Sequence, residues 1–457
     1  MSGEAWIVVD LGFGDSGKGT VTDFLVRERQ AGLVIRFNGG AQAGHNVVTA
    51  DGRQHTFSQF GAGSFVPGVG THLGPAFVLH PGGMLVESQV LARAGVPDAL
   101  DRTTVDARAL LVSPFQQAAG RLRELLRGPA CHGTCGIGVG EAVGDAWART
   151  EDTLCAGDLG RPAVLRRALR SQQARKRAEL VDGATLDDLH AVREWRFLGD
   201  PSAVDRVLAA WMPLARTLRV VDEAQAAERI RRAGTVICEG AQGALLDQTW
   251  GFHPHTTWSD CTPGGALALL DGPDWRVVRV GVLRAYATRH GPGPFPTEQH
   301  VPEAAWRDPH NRDGGWQGPF RTGVLDAVML RYGIEVSGGL DGLAVTCLDQ
   351  LGDPVRLCLQ YCVPVPAPDL AAGPHPGEIT RVRPGRPDDL PHRERLRTLL
   401  ESVRPLLTSV EQSAFIPTVE RELNVPVCLE SHGPTAQDKR WRKPVGNWVV
   451  GVKGVRG

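Results

Sequence analysis

The chain has no excess of charge of one sign. Its 50 basic and 51 acidic residues leave a net charge of −1, whereas a nucleic-acid-binding domain carries a basic surplus. No nucleic-acid partner is expected, although a local basic pocket for one nucleotide stays open. No run reaches the roughly 18 uncharged apolar residues that span a bilayer, so no membrane partner is expected either. The opening segment, MSGEAWIVVDLGFGDSGKG, has no basic stretch ahead of its apolar residues, which argues against a secretory signal. The nine cysteines are odd in number and scattered. They predict reduced thiols in a cytoplasmic protein rather than a disulfide framework. His132 lies between Cys131 and Cys135, but no second Cys/His pair stands at zinc-ligand spacing. Internal repeats and coiled-coil heptads are missing too.

What is present reads as an α/β enzyme. Apolar, β-branched runs at Trp6–Leu11, Leu33–Phe37, Thr235–Cys238, Val277–Leu283, Gly342–Leu348 and Val427–Leu429 predict short buried strands. Helical spacing at Gly19–Arg29, Val204–Leu214, Ala224–Arg232, Leu325–Tyr332 and Arg393–Leu407 separates several of them. Strands alternating with helices predict a mostly parallel sheet covered on both faces. The 457 residues are expected to form one large domain with helical and loop excursions. Residues 120–232 read as a mainly helical insertion, and 365–392, rich in Pro and Gly, as a surface excursion.

The strongest local signal is Gly12-Phe13-Gly14-Asp15-Ser16-Gly17-Lys18-Gly19-Thr20, between a strand and a helix. Glycines let backbone N–H groups close around phosphate oxygens, the helix N-terminus adds positive potential, and a lysine neutralises charge. The segment fits G-x-x-x-x-G-K, but Gly19 stands where a magnesium-binding hydroxyl is usual. Asp15 would repel bound phosphates unless it held Mg²⁺ or accepted a proton. A second glycine-dense loop, Asn38–Asn46, carries His45, a candidate proton donor. Glu239–Asp247 carries Gln242, whose amide suits a nucleobase edge. Asp349 follows a strand, and a carboxylate there can accept the N1 and N2 protons of guanine as a pair; it can equally cap the next helix.

Taken in order, these segments resemble the adenylosuccinate synthetase family. The matches are GDxGKG (Gly14–Gly19), NGGxxAGH (Asn38–His45), EGAQGxLLD (Glu239–Asp247), TRxGxGPFPTE (Thr288–Glu298), RTGxLD (Arg321–Asp326), TxLD (Thr346–Asp349) and SxGP (Ser431–Pro434). The resemblance implies an α/β fold related to the P-loop NTPases, and a homodimer. It also implies a ligase that uses GTP and Mg²⁺ to activate O6 of a purine nucleotide for replacement by an amine. It makes Asp15 the base and a Mg²⁺ ligand, His45 the acid, and the Gly44 carbonyl a second Mg²⁺ ligand. Gly14, Ser16, Gly17, Lys18 and Gly19 would hold the GTP phosphates. Asp349, Ser431, Gly433 and Pro434 would hold guanine. Gln42, Thr134, Gln242 and Thr257 would contact the purine nucleotide, and Arg149 would reach the nucleotide of the partner subunit.

The sequence departs from the family in the amino-donor pocket. The family carries an arginine run before RTG and another arginine in GTTGRG. Here Trp316, Gln317 and Phe320 precede Arg321, and Ile137 replaces the GTTGRG arginine. Ile137, Trp316, Gln317 and Arg321 are therefore expected to line an altered donor pocket, with Arg289 or Arg312 as candidate substitutes for the missing cations. Two further departures are Ser16 for the family's Glu and Cys347 for its Lys. They point to the family reaction with L-aspartate and IMP, or to a paralogue with another amine or another purine such as dGMP. Retention of Asp15 weighs against dGMP, and a binding protein without turnover would need neither Asp15 nor His45.

Overall fold

The computed structural model describes residues 3–180, 188–270, 275–298, 311 and 316–442. A ten-stranded sheet runs through the molecule in the order Lys439–Trp441, Val427–Ser431, Gly342–Thr346, Trp275–Arg284, Gly3–Asp10, Thr235–Glu239, Leu33–Arg36, Gly70–Leu73, Thr103–Asp106 and Arg219–Val221. All neighbours are parallel except the edge strand Lys439–Trp441, which is antiparallel to Val427–Ser431. The fold is a large α/β domain on a mostly parallel sheet, as the sequence predicts.

The central strand Gly3–Asp10 shows why both faces must be covered. Trp6 and Val8 pack with Val21, Phe24 and Leu25 of the helix Lys18–Arg29. Ala5, Ile7 and Val9 point the other way, into a cluster with Ile230 and Leu270. Side chains alternate across a strand, so a doubly buried strand reads as an unbroken apolar run. Ile7 is fully buried, and cutting it to Ala costs about 2–5 kcal/mol.

A second, five-stranded sheet is built from Tyr286–His290, Phe320–Asp326, Val355–Cys362, Glu378–Ile379 and Arg404–Val410. Two expected helices are corrected by it. Residues Phe320–Asp326 are a strand, and the helix begins only at Ala327, where the Asp326 carboxylate caps the amides of Val328 and Met329. The helix expected over 393–407 is Leu390–Ser402, and Arg404–Val410 turns into a strand against Val355–Cys362.

The expected insertion contains the helices Pro114–Arg127, Val139–Trp147, Pro162–Glu179, Leu189–Gly199, Ala203–Thr217 and Glu223–Ala233. It also supplies the sheet's edge strand Arg219–Val221. The Pro/Gly-rich segment 365–392 is more than a surface excursion. Its Leu370, Ala371, Ile379 and Val382 are buried in one apolar cluster with Tyr361 and Leu396.

Candidate active site

The loops carrying Asp15, His45, Gln242, Asp349 and Gly433 leave the carboxyl ends of parallel strands, the end at which open α/β sheets bind ligands. In the first of these loops Gly14 has φ +88°, Asp15 +60° and Gly17 +91°. The left-handed region suits glycine but strains a carboxylate-bearing residue. Arg284 Nε donates to the Asp15 carbonyl and helps hold that conformation. Gly19 has a different reason to be glycine. A Cβ there would lie 2.8 Å from the His45 carbonyl carbon, so the missing hydroxyl is what lets the second loop close onto the helix.

Beneath the loop sits Asp10, the last residue of the first strand, which is 1% exposed. Its Oδ1 accepts from the Gly12 amide (2.9 Å) and Ser16 Oγ (2.9 Å), and its Oδ2 from the Ser16 amide (3.0 Å) and Lys18 Nζ (2.9 Å). Lys18 also donates to the Gln242 carbonyl at 2.6 Å. Ser16 is thus turned inward to Asp10 and does not line the cleft, unlike Gly14, Gly17, Lys18 and Gly19.

His45 is 5% exposed. Its Nδ1 lies 2.7 Å from Glu239 Oε1, which leaves Nε2 as the nitrogen for the cleft. Glu239 in turn accepts the Ala62 amide (3.0 Å) and lies 3.9 Å from the buried Arg36 guanidinium. Burial draws the imidazole pKa down to about 4, against the opposing field of Glu239. Asn38 ties the second glycine loop to the segments Glu239–Asp247 and 256–265: it accepts from the Ala241 amide (2.8 Å) and donates to the Asp260 carbonyl (2.7 Å).

One cleft of ≈1520 Å³ joins these groups. Asp15, Lys18, Gly44 and His45 line it, as do Asp349, Ser431, Gly433 and Pro434. Gln42, Thr134, Gln242 and Thr257 line it as well. The side-chain amides of Gln42 and Gln242 include buried oxygens without a hydrogen-bond partner, which marks places where a ligand or water completes the site. Arg149 is exposed at the end of the helix Val139–Trp147 and is not part of this chain's own cleft wall.

The expected donor pocket is arranged differently. Only Gln317 of its four residues lines the cleft. Ile137 packs against the cluster of Val78, Val112 and Val139. Trp316 lies over Gly136, with the Arg121 guanidinium 5.4 Å from its ring centre. Arg321 is spent on Glu298 (2.8 Å) and the carbonyls of Gly291 (2.6 Å) and Gly293 (3.0 Å). Arg289, the named substitute, does line the cleft, while Arg312 lies outside the described residues.

Three residues that sequence reasoning passed over belong to the site. Asp10 was legible as a carboxylate ending a strand before a glycine loop. Glu239 stood inside a quoted motif without a role. His290 occupies a variable position of TRxGxGPFPTE, and only the pairing of Tyr286–His290 with Phe320–Asp326 brings its Nε2 to 3.3 Å from Asp15 Oδ2.

A glycine-rich loop with a lysine, the carboxylates of Asp15 and Asp349 and the His45 imidazole share one cleft of a parallel α/β sheet, the arrangement of a nucleotide-using enzyme. The comparisons with known proteins agree. The adenylosuccinate synthetase family model matches residues 7–439. An adenylosuccinate synthetase of Marinomonas is 31% identical over 449 residues, 94% of this chain and 96% of that one. One from Polynucleobacter asymbioticus is 34% identical over 372 residues, 78% of this chain and 79% of that one. The chain belongs to the adenylosuccinate synthetase family, whose members are GTP-dependent ligases that form a C–N bond. Among solved structures, the fully ligated Plasmodium falciparum adenylosuccinate synthetase superposes with a TM-score of 0.72 at 21% identity, covering 97% of this chain and 100% of that one. The cyanophage S-2L succinoaminodeoxyadenylate synthetase, bound to dGMP and dATP, gives 0.59 at 18% identity, covering 96% of each. At these identities the two structures speak for the fold.

Proposed function

We propose that the protein phosphorylates O6 of an IMP-like 6-oxopurine nucleotide with GTP and then lets an amine take the place of that oxygen. In the family reaction the amine is L-aspartate and the product adenylosuccinate. The reading rests on one observation: Asp15, His45, Lys18 and Asp349 line the same cleft.

A ring carbonyl oxygen is a very poor leaving group. Asp15 takes the N1 proton, charge moves to O6, and O6 attacks the γ-phosphorus as its bond to GDP breaks. The amine then adds at C6 and phosphate departs. His45, oriented by Glu239, presents Nε2 to the transferring group. Burial keeps that nitrogen unprotonated in the free protein, and an anionic phosphate beside it raises its proton affinity. Lys18 and the loop amides stabilise charge on the phosphoryl oxygens. Asp349 would take the guanine N1 and N2 protons, with Ser431, Gly433 and Pro434 beside the ring.

Among the described residues no cluster of three His, Cys, Asp or Glu side chains gathers to hold a metal alone. One carboxylate and one carbonyl, from Asp15 and Gly44, with nucleotide phosphates as the remaining ligands, suit Mg²⁺, a hard cation that keeps few protein ligands. Bound there, it would neutralise phosphate charge. In a homodimer, which the family resemblance implies, the exposed Arg149 would be available to a second copy's nucleotide.

A second reading keeps the activation step and changes the amine, or the purine nucleotide to one such as dGMP. It is favoured by Ile137 and Trp316, which stand in the donor segments and pack away from the cleft. Incubation with Mg²⁺, GTP and IMP or dGMP, with aspartate and then a panel of amines, separates the readings by phosphate release and product mass. An aspartate adduct of IMP supports the first, and release only with another amine or only with dGMP supports the second. No release with any pair sinks both.

A further inference from the structure

The wall of the cleft formed by the segment 253–255 and the helix Leu390–Ser402 holds two guanidinium groups without a carboxylate partner among the described residues. Arg393 is 8% exposed and lines the cleft with Pro387 and Leu390. Its one hydrogen bond runs from Nη1 to the Pro387 carbonyl at 2.9 Å, and its Nε is buried without an acceptor. Arg289 is 2% exposed and lines the same cleft. It donates only to carbonyls, those of Pro292 (3.1 Å), Pro294 (2.9 Å) and His255 (3.4 Å). The His255 backbone therefore ties Arg289 to the segment whose His253 feels the field of Arg393.

The fields of Glu401 and Glu298 reach Arg289, but these carboxylates are paired with Arg397 (2.8 Å) and Arg321 (2.8 Å), and Asp349, which also lines the cleft, forms no ion pair with either arginine. Glu141 is committed to Arg123 (2.8 Å) and Lys176 (2.7 Å), and Asp15 faces His290. Burying a cation without an anion is costly, and a guanidinium with open donors is matched best by a planar carboxylate or a phosphate. Burial holds His132, His253 and His255 toward their neutral forms, so the local positive charge belongs to the arginines.

We propose that Arg393, supported by Arg289, forms an anion subsite of the cleft that receives an anionic group of a substrate: the carboxylate of the amino donor or the phosphate of the purine nucleotide. It stands in for the arginines that the donor segments lack, and it rests on the function proposed above. Its place in the fold also gives the Pro/Gly-rich segment a purpose, since Pro387 within that segment accepts from Arg393.

Calorimetric titration of the full chain tests this with four probes: succinate, its uncharged diamide, IMP and inosine. Wild type is expected to prefer the charged member of at least one pair, and Arg393→Met to lower that preference about ten- to a hundredfold. Collapse of the succinate preference assigns the subsite to a donor carboxylate, and collapse of the IMP preference assigns it to the nucleotide phosphate. Equal preferences in wild type and variant overturn the proposal. Arg393→Lys keeps the charge and is expected to retain most of the preference. If it loses as much as Met, the effect is packing and the subsite is wrong. Phosphate exchange between GTP and a purine nucleotide reads the proposed function separately, because it needs no donor.

Discussion

Lys18 and Asp10 form a buried ion pair of 2.9 Å beneath the phosphate loop, with side chains 3% and 0% exposed. The same carboxylate, at the end of the first strand, also accepts from the Ser16 hydroxyl and amide. Asp10→Asn leaves the lysine charge buried with a neutral neighbour. Removing one partner of a buried pair costs about 3–5 kcal/mol, so urea unfolding is expected to show a loss of that order. An unchanged midpoint contradicts the pairing.

Glu239→Gln removes the anion behind His45 while keeping a hydrogen-bond acceptor. Turnover is expected to fall about a hundredfold, the usual reach of a positioned acid or base, with little change in the KM for GTP. A large rise in that KM with normal kcat would assign Glu239 to binding instead.

Asp349→Asn exchanges an acceptor for a donor where guanine protons are expected. Preference for GTP over other purine triphosphates is expected to drop about ten- to a hundredfold. An unaltered preference removes Asp349 from base recognition.

His72 offers a pH prediction away from the cleft. It is fully buried, its Nδ1 is 2.9 Å from Thr104 Oγ1, and its Nε2 has no hydrogen-bond partner among the described residues. Burial lowers its pKa from 6.5 to about 4. The unfolded chain therefore binds the proton more readily, and the stability of the neutral form is full above pH 6.5 and lost as pH falls through about 4. Between pH 7 and 4, wild type should lose roughly 3 kcal/mol more than His72→Asn. Comparing the two proteins cancels the opposite effect of Asp247 and Asp326, whose pKa values burial raises to about 6. Parallel pH curves for the two proteins would show that His72 does not titrate in this way.

The parallel core was legible in the sequence because a strand buried on both faces is an unbroken apolar run, as in Trp6–Leu11. The strands Gly70–Leu73, Thr103–Asp106 and Arg219–Val221 were not, since His72, Thr104 and Arg219 interrupt the apolar signal. Leu325 and Asp326, the end of the strand Phe320–Asp326, read as the start of a helix because Leu325 continues the apolar spacing of Ala327–Val336, and the cap at Asp326 fixes the boundary. The loops carrying Asp15, His45, Gln242 and Asp349 were legible through their glycines and polar residues after strands. The donor side was not. Residue type suggested Ile137 and Trp316 as pocket walls, whereas long-range packing turns them away and brings Arg393 from 72 positions beyond Arg321 into the cleft.

The central claim is that O6 of a purine nucleotide receives the γ-phosphoryl group of GTP with Asp15 as base. It is tested most directly with GTP carrying ¹⁸O in the β,γ-bridge, incubated with Mg²⁺ and IMP or dGMP and no amine. Reversible transfer to O6 frees the β-phosphate to rotate, so the label is expected to move to a non-bridging position. That movement should require the purine nucleotide and be absent in Asp15→Asn. Label that stays in the bridge with either nucleotide, or that moves equally well in Asp15→Asn, contradicts the account.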